Sequence, residues 1–301
     1  MKLSGVLTPI PTPFDRDDEV DVPTLRAALA GWLRSPLAGF VILGSNGEAA
    51  LLDEDESDRV IAAARDVVPE ERVFIVGTGR ESTRGAINAT RRAAALGADA
   101  VLVRTPGFFK AQMTTDVFVR HYRAVADASP VPVLLYNYTA VTGVSLPVDA
   151  VARLAEHANI AGMKESNGDL LRIADLASST PDTFTLLAGS AATFYEALRA
   201  GAAGGILALG SVLPDLCVRL FELTGAGLLD EARALQQQLV PIAKLLGSTY
   251  GVPGLKAALT LVGCDVGLPR PPLVPLAAPA VSELARALAP FTAVALLSAD
   301  S

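Results

Sequence analysis

Short, unbroken apolar runs alternate along this chain with longer stretches whose apolar positions recur every three or four residues. The short runs span 5–8, 39–43, 73–77, 100–103, 133–136, 160–164, 185–188 and 205–208, and read as buried strands. The stretches between them, 22–33, 53–67, 83–96, 115–128, 147–156, 170–179 and 193–200, carry the 3.6-residue period of amphipathic helices. Asp53 and Glu56 form an acidic variant of the capping box, and Pro147 suits a first helical turn. Strands separated by single helices pair in parallel. Eight of them predict a closed TIM (β/α)8 barrel rather than an open doubly wound sheet, and no glycine-rich phosphate fingerprint follows the first strand.

After about Ser211 the strand rhythm stops. Residues 214–223, 229–246, 254–262 and 281–288 read as helices, with the proline-rich stretch 269–279 as a rigid connector. The expected division is a catalytic barrel over 1–225 and a C-terminal helical extension over 226–301, with no low-complexity linker and no second core.

With 301 residues, 51% of them apolar, the chain has material for one large core. A net charge of −7 and the absence of a basic cluster argue against a nucleic-acid partner. Cys217 and Cys264 give neither a disulfide framework nor ligand spacing and fit a reducing cytoplasm as small core residues. His121 and His157 fall in helical patterns and read as surface or helix-end residues rather than metal ligands. Met1 to Val6 lack the apolar core and cleavage site of a signal peptide, and the longest uncharged apolar stretch, 200–214, is too short and glycine-rich to span a bilayer. A cytoplasmic protein without membrane contact is expected.

In such barrels chemistry sits at the C-terminal strand ends. Three polar groups fall there. Lys164 closes the run Ile160-Ala161-Gly162-Met163, Tyr136 closes Val133-Leu134-Leu135, and Gly44-Ser45-Asn46-Gly47-Glu48 follows 39–43. A lone lysine after a strand is ordinarily solvated or salt-bridged, and a glycine turn ordinarily just leads into the next helix. Together the three suit a 2-oxo acid. A desolvated lysine is partly a neutral amine able to attack the ketone. Tyr136 can move protons, with the Ser45 hydroxyl as relay, and the amides of Ser45 and Asn46 can hold a carboxylate. This chemistry calls for no metal, phosphate site or cofactor.

Gly44-x-x-Gly47-Glu48, Tyr136-Asn137 with Thr142-Gly143, and Gly162-Met163-Lys164-Glu165 resemble, in order and spacing, the three signatures of the dihydrodipicolinate synthase/N-acetylneuraminate lyase family. Thr8-Pro9 to Pro13-Phe14, Gly251 to Lys256 and Arg270 to Leu273 extend the resemblance over nearly the whole chain. It implies a class I, Schiff-base pyruvate aldolase or hydro-lyase that is usually a homotetramer, a homodimer being the alternative. It implies Lys164, Tyr136 and Ser45 as catalytic residues, and Asn46, Gly47, Ser166, Gly189 and Ile206 as substrate-binding ones.

Gly44 to Glu48, Glu81-Ser82-Thr83, Leu146 to Val151 and Gly251 to Lys256 most resemble the 4-hydroxy-2-oxoglutarate aldolase branch. The synthases' carboxylate-gripping arginine is Val141 here, their tyrosine from a neighbouring subunit is Phe108, the sialate lyases' acidic pair is Ala191-Ala192, and the usual proline of the tyrosine motif is Thr139. The expected enzyme cleaves a small 4-hydroxy-2-oxo acid to pyruvate and an aldehyde. Its rivals are dihydrodipicolinate synthase, with Arg104 or Lys110 standing in for the missing arginine, a 2-oxo-3-deoxy sugar acid dehydratase or aldolase, and a non-catalytic sensor on the same barrel.

Overall fold

Each short apolar run becomes one strand of a closed barrel whose strands all pair in parallel, in chain order from β1 to β8. The computed structural model describes residues 3–298; Met1 and Lys2, where the signal-peptide reading begins, and residues 299–301 lie outside the described residues. The strands are β1 Gly5–Pro9, β2 Gly39–Ile42, β3 Val73–Gly77, β4 Ala100–Arg104, β5 Val133–Asn137, β6 Ile160–Glu165, β7 Thr185–Ala188 and β8 Gly204–Ile206. Buried on both faces, they read as continuous apolar runs rather than alternating ones. β4, β5 and β6 each run one residue past the apolar stretch, into Arg104, Asn137 and Glu165. Those polar ends are where the site is built.

The connecting helices are α1 Val22–Trp32, α2 Glu54–Arg65, α3 Thr83–Ala95, α4 Thr115–Ala128, the short α5 Thr139–Thr142, α6 Val148–Ala155, α7 Leu170–Ser179 and α8 Phe194–Arg199. The Asp53–Glu56 capping box is formed in full at the start of α2. Pro147 is the N-cap of α6 and not part of its first turn. Side chains on the two strand faces separate into two layers. Leu7, Val41, Ile75, Leu102, Leu134 and Leu187 fill the barrel interior. Phe40, Phe74, Val101, Leu135 and Met163 pack outward in the larger cluster shared with the helices.

Beyond β8 come α9 Leu209–Val212, α10 Pro214–Gly225, α11 Leu229–Lys244, a π turn over Leu245–Thr249, α12 Gly251–Leu261 and α13 Ala278–Ser298. The period alone ended the last helix at 288, but Pro290 is accommodated inside α13. Leu239, Ile242, Leu255, Leu259 and Leu284 join the same buried cluster as the barrel's outer layer. No helix among the described residues is long and apolar enough to cross a membrane.

His121 corrects the surface reading. It lies on the inner face of α4, 5% exposed, with Nδ1 2.9 Å from Thr83 Oγ1. Burial pushes its pKa down to about 4, so the ring is neutral near pH 7. His157 does sit just past the end of α6, 3.0 Å from Asp127.

Candidate active site

Lys164 and Tyr136 are paired across β6 and β5. A register shift between Val133 and Leu134 makes this possible: Val133 pairs with Ile160 but Leu134 pairs with Gly162, leaving Ala161 as an extra residue. The bulge brings Lys164, rather than Met163, level with Tyr136. Gly162 is held close to β7, where a Cβ would lie 2.2 Å from Thr185 O.

Lys164 is 5% exposed, and its ammonium nitrogen lies 4.6 Å from the centroid of the Tyr136 ring. Burial in the barrel mouth pushes its pKa down to about 7 from the ordinary 10.5. Tyr136 is buried as well. Desolvation raises its pKa, opposed by the neighbouring hydroxyls of Ser45 and Ser166. The Tyr136 hydroxyl is 3.2 Å from Ser45 Oγ, within reach of proton exchange. Burial thus moves the two pKa values apart, and near neutral pH it favours the uncharged form of each group, a neutral amine beside a neutral phenol.

The next residues outward hold this pair in place. Asn137 and Glu165 are also register partners, and Asn137 Nδ2 donates to Glu165 Oε2 at 2.8 Å. Arg172 Nε donates to the same oxygen at 2.6 Å, and the Asn167 amide donates to Oε1 at 2.9 Å. Glu165, with no exposed side-chain surface, is therefore satisfied on both oxygens.

Ser45 and Asn46 open a 3-10 turn over Ser45–Gly47, whose internal bonds leave their own amides free. The turn is flanked by left-handed non-glycine residues, Leu43 at φ 53° and Glu48 at φ 55°, a form of backbone strain that gathers at functional sites. Tertiary contacts enforce it. Glu48 is buried against Lys256 of α12 at 2.7 Å, and its other oxygen accepts from the Arg270 amide at 2.8 Å. Lys256 also donates to Thr12 O and Leu268 O. Arg270 grips Glu56 through both terminal nitrogens, at 2.8 and 2.6 Å. Lys256 and Arg270 both lie against the Phe14 ring, 4.5 and 4.3 Å from its centroid. These contacts explain the second half of the Gly44–Glu48 signature and the C-terminal motifs: Lys256 and Arg270 anchor the turn, while Glu48, Gly251, Val252, Pro272 and Leu273 also reach the cavity wall.

Lys164, Tyr136, Ser45, Asn46, Ser166, Gly189 and Ile206 line one cavity of about 1030 Å³ at the C-terminal mouth of the barrel. Gly189 leaves room for Ser166: a Cβ there would sit 1.9 Å from Ser166 Oγ. That hydroxyl is buried without a hydrogen-bond partner among the described residues. Gly47 does not line the cavity. It packs against Ile10 O, and its carbonyl accepts from Thr12 Oγ1 at 2.6 Å. The structure thus places Gly47 within the turn and not on the cavity wall where a substrate contact was expected.

Two cavity features escaped the sequence reading. Tyr138 lines the wall and stacks on Tyr136 at 6.3 Å; two-residue alternation from Tyr136 was the available signal. The end of α11 and the π turn also contribute wall residues, which no strand-end rule anticipates.

A family model described as the Dihydrodipicolinate synthetase family matches residues 2–290. A 4-hydroxy-tetrahydrodipicolinate synthase from Exiguobacterium sp. is 35% identical over 291 residues, covering 97% of this chain and 99% of that protein. The probable mitochondrial 4-hydroxy-2-oxoglutarate aldolase of Emericella nidulans is 36% identical over 286 residues, covering 93% and 91%. The crystal structure of the chloride-inhibited dihydrodipicolinate synthase from Acinetobacter baumannii complexed with pyruvate superimposes with a TM-score of 0.90 at 31% identity, covering 95% of this chain and 97% of that one. Sequence and barrel together make this chain a member of the dihydrodipicolinate synthase family, enzymes that form or break carbon–carbon bonds.

Proposed function

We propose that this enzyme is a Schiff-base pyruvate aldolase that cleaves a small 4-hydroxy-2-oxo acid, such as 4-hydroxy-2-oxoglutarate, to pyruvate and an aldehyde. The observation that carries this reading is the desolvated Lys164 amine against the Tyr136 ring at the barrel mouth. The neutral amine adds to the C2 ketone and water leaves, giving an iminium. Tyr136 accepts the C4 hydroxyl proton with Ser45 as relay, the C3–C4 bond breaks, and its electron pair passes to the iminium as an enamine. The aldehyde departs. The enamine is protonated at C3, and water releases pyruvate and the free lysine. The amides of Ser45 and Asn46 hold the substrate's C1 carboxylate, and the unpartnered Ser166 hydroxyl bonds the same end of the substrate. Pyruvate in the Acinetobacter relative supports this assignment of the 2-oxo acid.

The second reading is condensation of pyruvate with aspartate semialdehyde, favoured by the relatives named as synthases. Val141 weighs against it. It is 56% exposed at the cavity wall and offers no donor to a carboxylate. The two cations considered as replacements for an arginine there are otherwise placed: Arg104 is bound to Glu81 at 2.6 Å, and Lys110 packs its amine over Gly143. Charge-assisted contacts of this type contribute about 1.5–3 kcal/mol, so aspartate semialdehyde is expected to be used roughly ten- to a hundredfold less well.

Borohydride added with pyruvate should leave a reduced adduct on Lys164, found by peptide mass and lost in Lys164→Ala. Steady-state assays of both reactions on one preparation should give the larger kcat/KM for cleavage of 4-hydroxy-2-oxoglutarate. A larger value for the condensation would make the chain a divergent synthase using the same imine. Phe108 and Phe109, 77% and 68% exposed and packed edge to face, fit an assembly contact. A homotetramer or homodimer accordingly belongs to this proposal, and sedimentation velocity tests it.

A further inference from the structure

Part of the cavity wall comes from outside the barrel. Ala243, Lys244, Leu246, Gly247 and Ser248 reach it from the end of α11 and the π turn that follows. Lys244 is the last residue of α11. Pro241, one turn earlier, lacks an amide hydrogen, and π turns of this kind occur often at functional sites.

The charges lining the cavity can be accounted for one by one. Arg80 is bound to Glu54 at 3.0 Å and Arg104 to Glu81 at 2.6 Å. Glu48 is bound to Lys256 at 2.7 Å, and Asp53 accepts from the Glu56 amide at 2.8 Å as a helix cap. Lys164 is the buried amine of the proposed reaction. Lys244 differs from all of these. It is exposed at the rim, and among the described residues its ammonium has neither an ion-pair partner nor a hydrogen bond; its contact with Ser248 is through the backbone carbonyl. A free cation beside a cavity whose other cations are neutralised draws an anion toward that wall.

We propose that Lys244 receives the second anionic group of the substrate, the carboxylate at the end remote from the ketone. The enzyme then prefers 4-hydroxy-2-oxo dicarboxylic acids over homologues with an uncharged tail. This rests on the proposal that Lys164 binds the 2-oxo acid end. Lys244 makes no bond to reacting atoms and is a specificity residue. Its rim position exposes the contact to water and salt, which keeps its effect moderate.

The test uses the full chain and two substrates differing only at that end: 4-hydroxy-2-oxoglutarate, and 4-hydroxy-2-oxopentanoate with a methyl group in place of the carboxylate. The ratio of their kcat/KM values should fall about two- to fivefold in Lys244→Met, chiefly through KM for the dicarboxylate. Lys244→Arg should keep most of the ratio, and Lys244→Glu should lower it further. Added salt should erode the ratio in wild type but not in Lys244→Met. An unchanged ratio in Lys244→Met, or equal losses on both substrates, overturns the role of Lys244. If cleavage is too slow to measure, the ratio is read in synthesis, with pyruvate plus glyoxylate against pyruvate plus acetaldehyde. Borohydride trapping of pyruvate on wild-type Lys164 separates the two proposals: no adduct overturns the imine reaction, whereas an adduct with an unmoved ratio overturns only the dicarboxylate preference.

Discussion

Asn137 donates through Nδ2 to Glu165 Oε2 at 2.8 Å, one residue beyond Tyr136 and Lys164 on the same two strands. Neighbouring residues on a strand face opposite ways, so this outward pair fixes the inward one. Asn137 Oδ1 also accepts from the Leu146 amide at 2.9 Å. Asn137→Ala leaves that buried amide unpaired, which costs about 1–3 kcal/mol. It should also lower kcat about tenfold, because small displacements of reacting groups are expensive. Urea unfolding and steady-state kinetics check both. Loss of stability with an unchanged kcat would show that the network holds the fold but not the site.

Lys164 makes both activity and stability depend on pH in a window where a surface lysine, with equal folded and unfolded pKa, has no effect on stability and stays charged. Its folded pKa of about 7 lies below the ordinary 10.5. The neutral, nucleophilic fraction therefore rises through pH 7, and the rate of imine trapping with pyruvate should rise sigmoidally with a midpoint near 7. Between pH 7 and 10.5 the unfolded chain binds a proton that the folded chain releases, so stability should increase with pH across that window. Lys164→Met should remove this slope and raise Tm at pH 7 while abolishing the adduct. A trapping midpoint near 10 would mean that the amine is solvated.

Glu48 and Lys256 tie the turn carrying Ser45 and Asn46 to α12. Both side chains are almost wholly buried, so removing one partner leaves an uncompensated charge, at about 3–5 kcal/mol. Lys256→Met should destabilise by that amount and raise KM, since the substrate-facing amides lose their anchor. The double variant Lys256→Met, Glu48→Gln should recover part of the stability, measured as a coupling energy in a double-mutant cycle. Additive losses would show the two residues acting independently.

Much of this was legible in the chain. Doubly buried strands need apolar runs, so hydropathy finds all eight, but the ends differ where Pro9, Arg104, Asn137 and Glu165 continue the ladder and where β2 and β8 stop early, at Ile42 and Ile206. Lys164, Tyr136 and Ser45 stood out as polar residues closing or following apolar runs. What remained hidden depends on contacts between distant segments. Glu48 meets Lys256 only after α12 packs over the barrel mouth. Ala161 becomes a bulge only through pairing with β5. Gly47 looked like a ligand contact because it shares a motif with residues that line the cavity. His121 is polar on an otherwise apolar helix face, and Thr83, which pairs with its Nδ1, lies in another helix.

Gly189 provides a sharper test of how Ser166 is positioned. The Gly189 amide donates to Glu165 O at 2.7 Å, so the backbone there is pinned to the end of β6. A Cβ would lie 1.9 Å from Ser166 Oγ, 2.8 Å from its Cβ and 2.9 Å from its Cα. Rotating the hydroxyl relieves only the first clash, so the backbone beside Lys164 must also move. Gly189→Ala should therefore cost about 1–3 kcal/mol of stability from overpacking and reduce kcat/KM at least tenfold. Ser166→Ala removes the hydroxyl without the clash, and should weaken substrate binding while leaving Tm nearly unchanged. If Gly189→Ala matches Ser166→Ala in both Tm and kinetics, the glycine serves only to make room for one hydroxyl. If it is worse in both, as the two carbon contacts at 2.8 and 2.9 Å imply, Gly189 also holds the ends of β6 and β7 at the spacing that keeps the Lys164 amine against Tyr136.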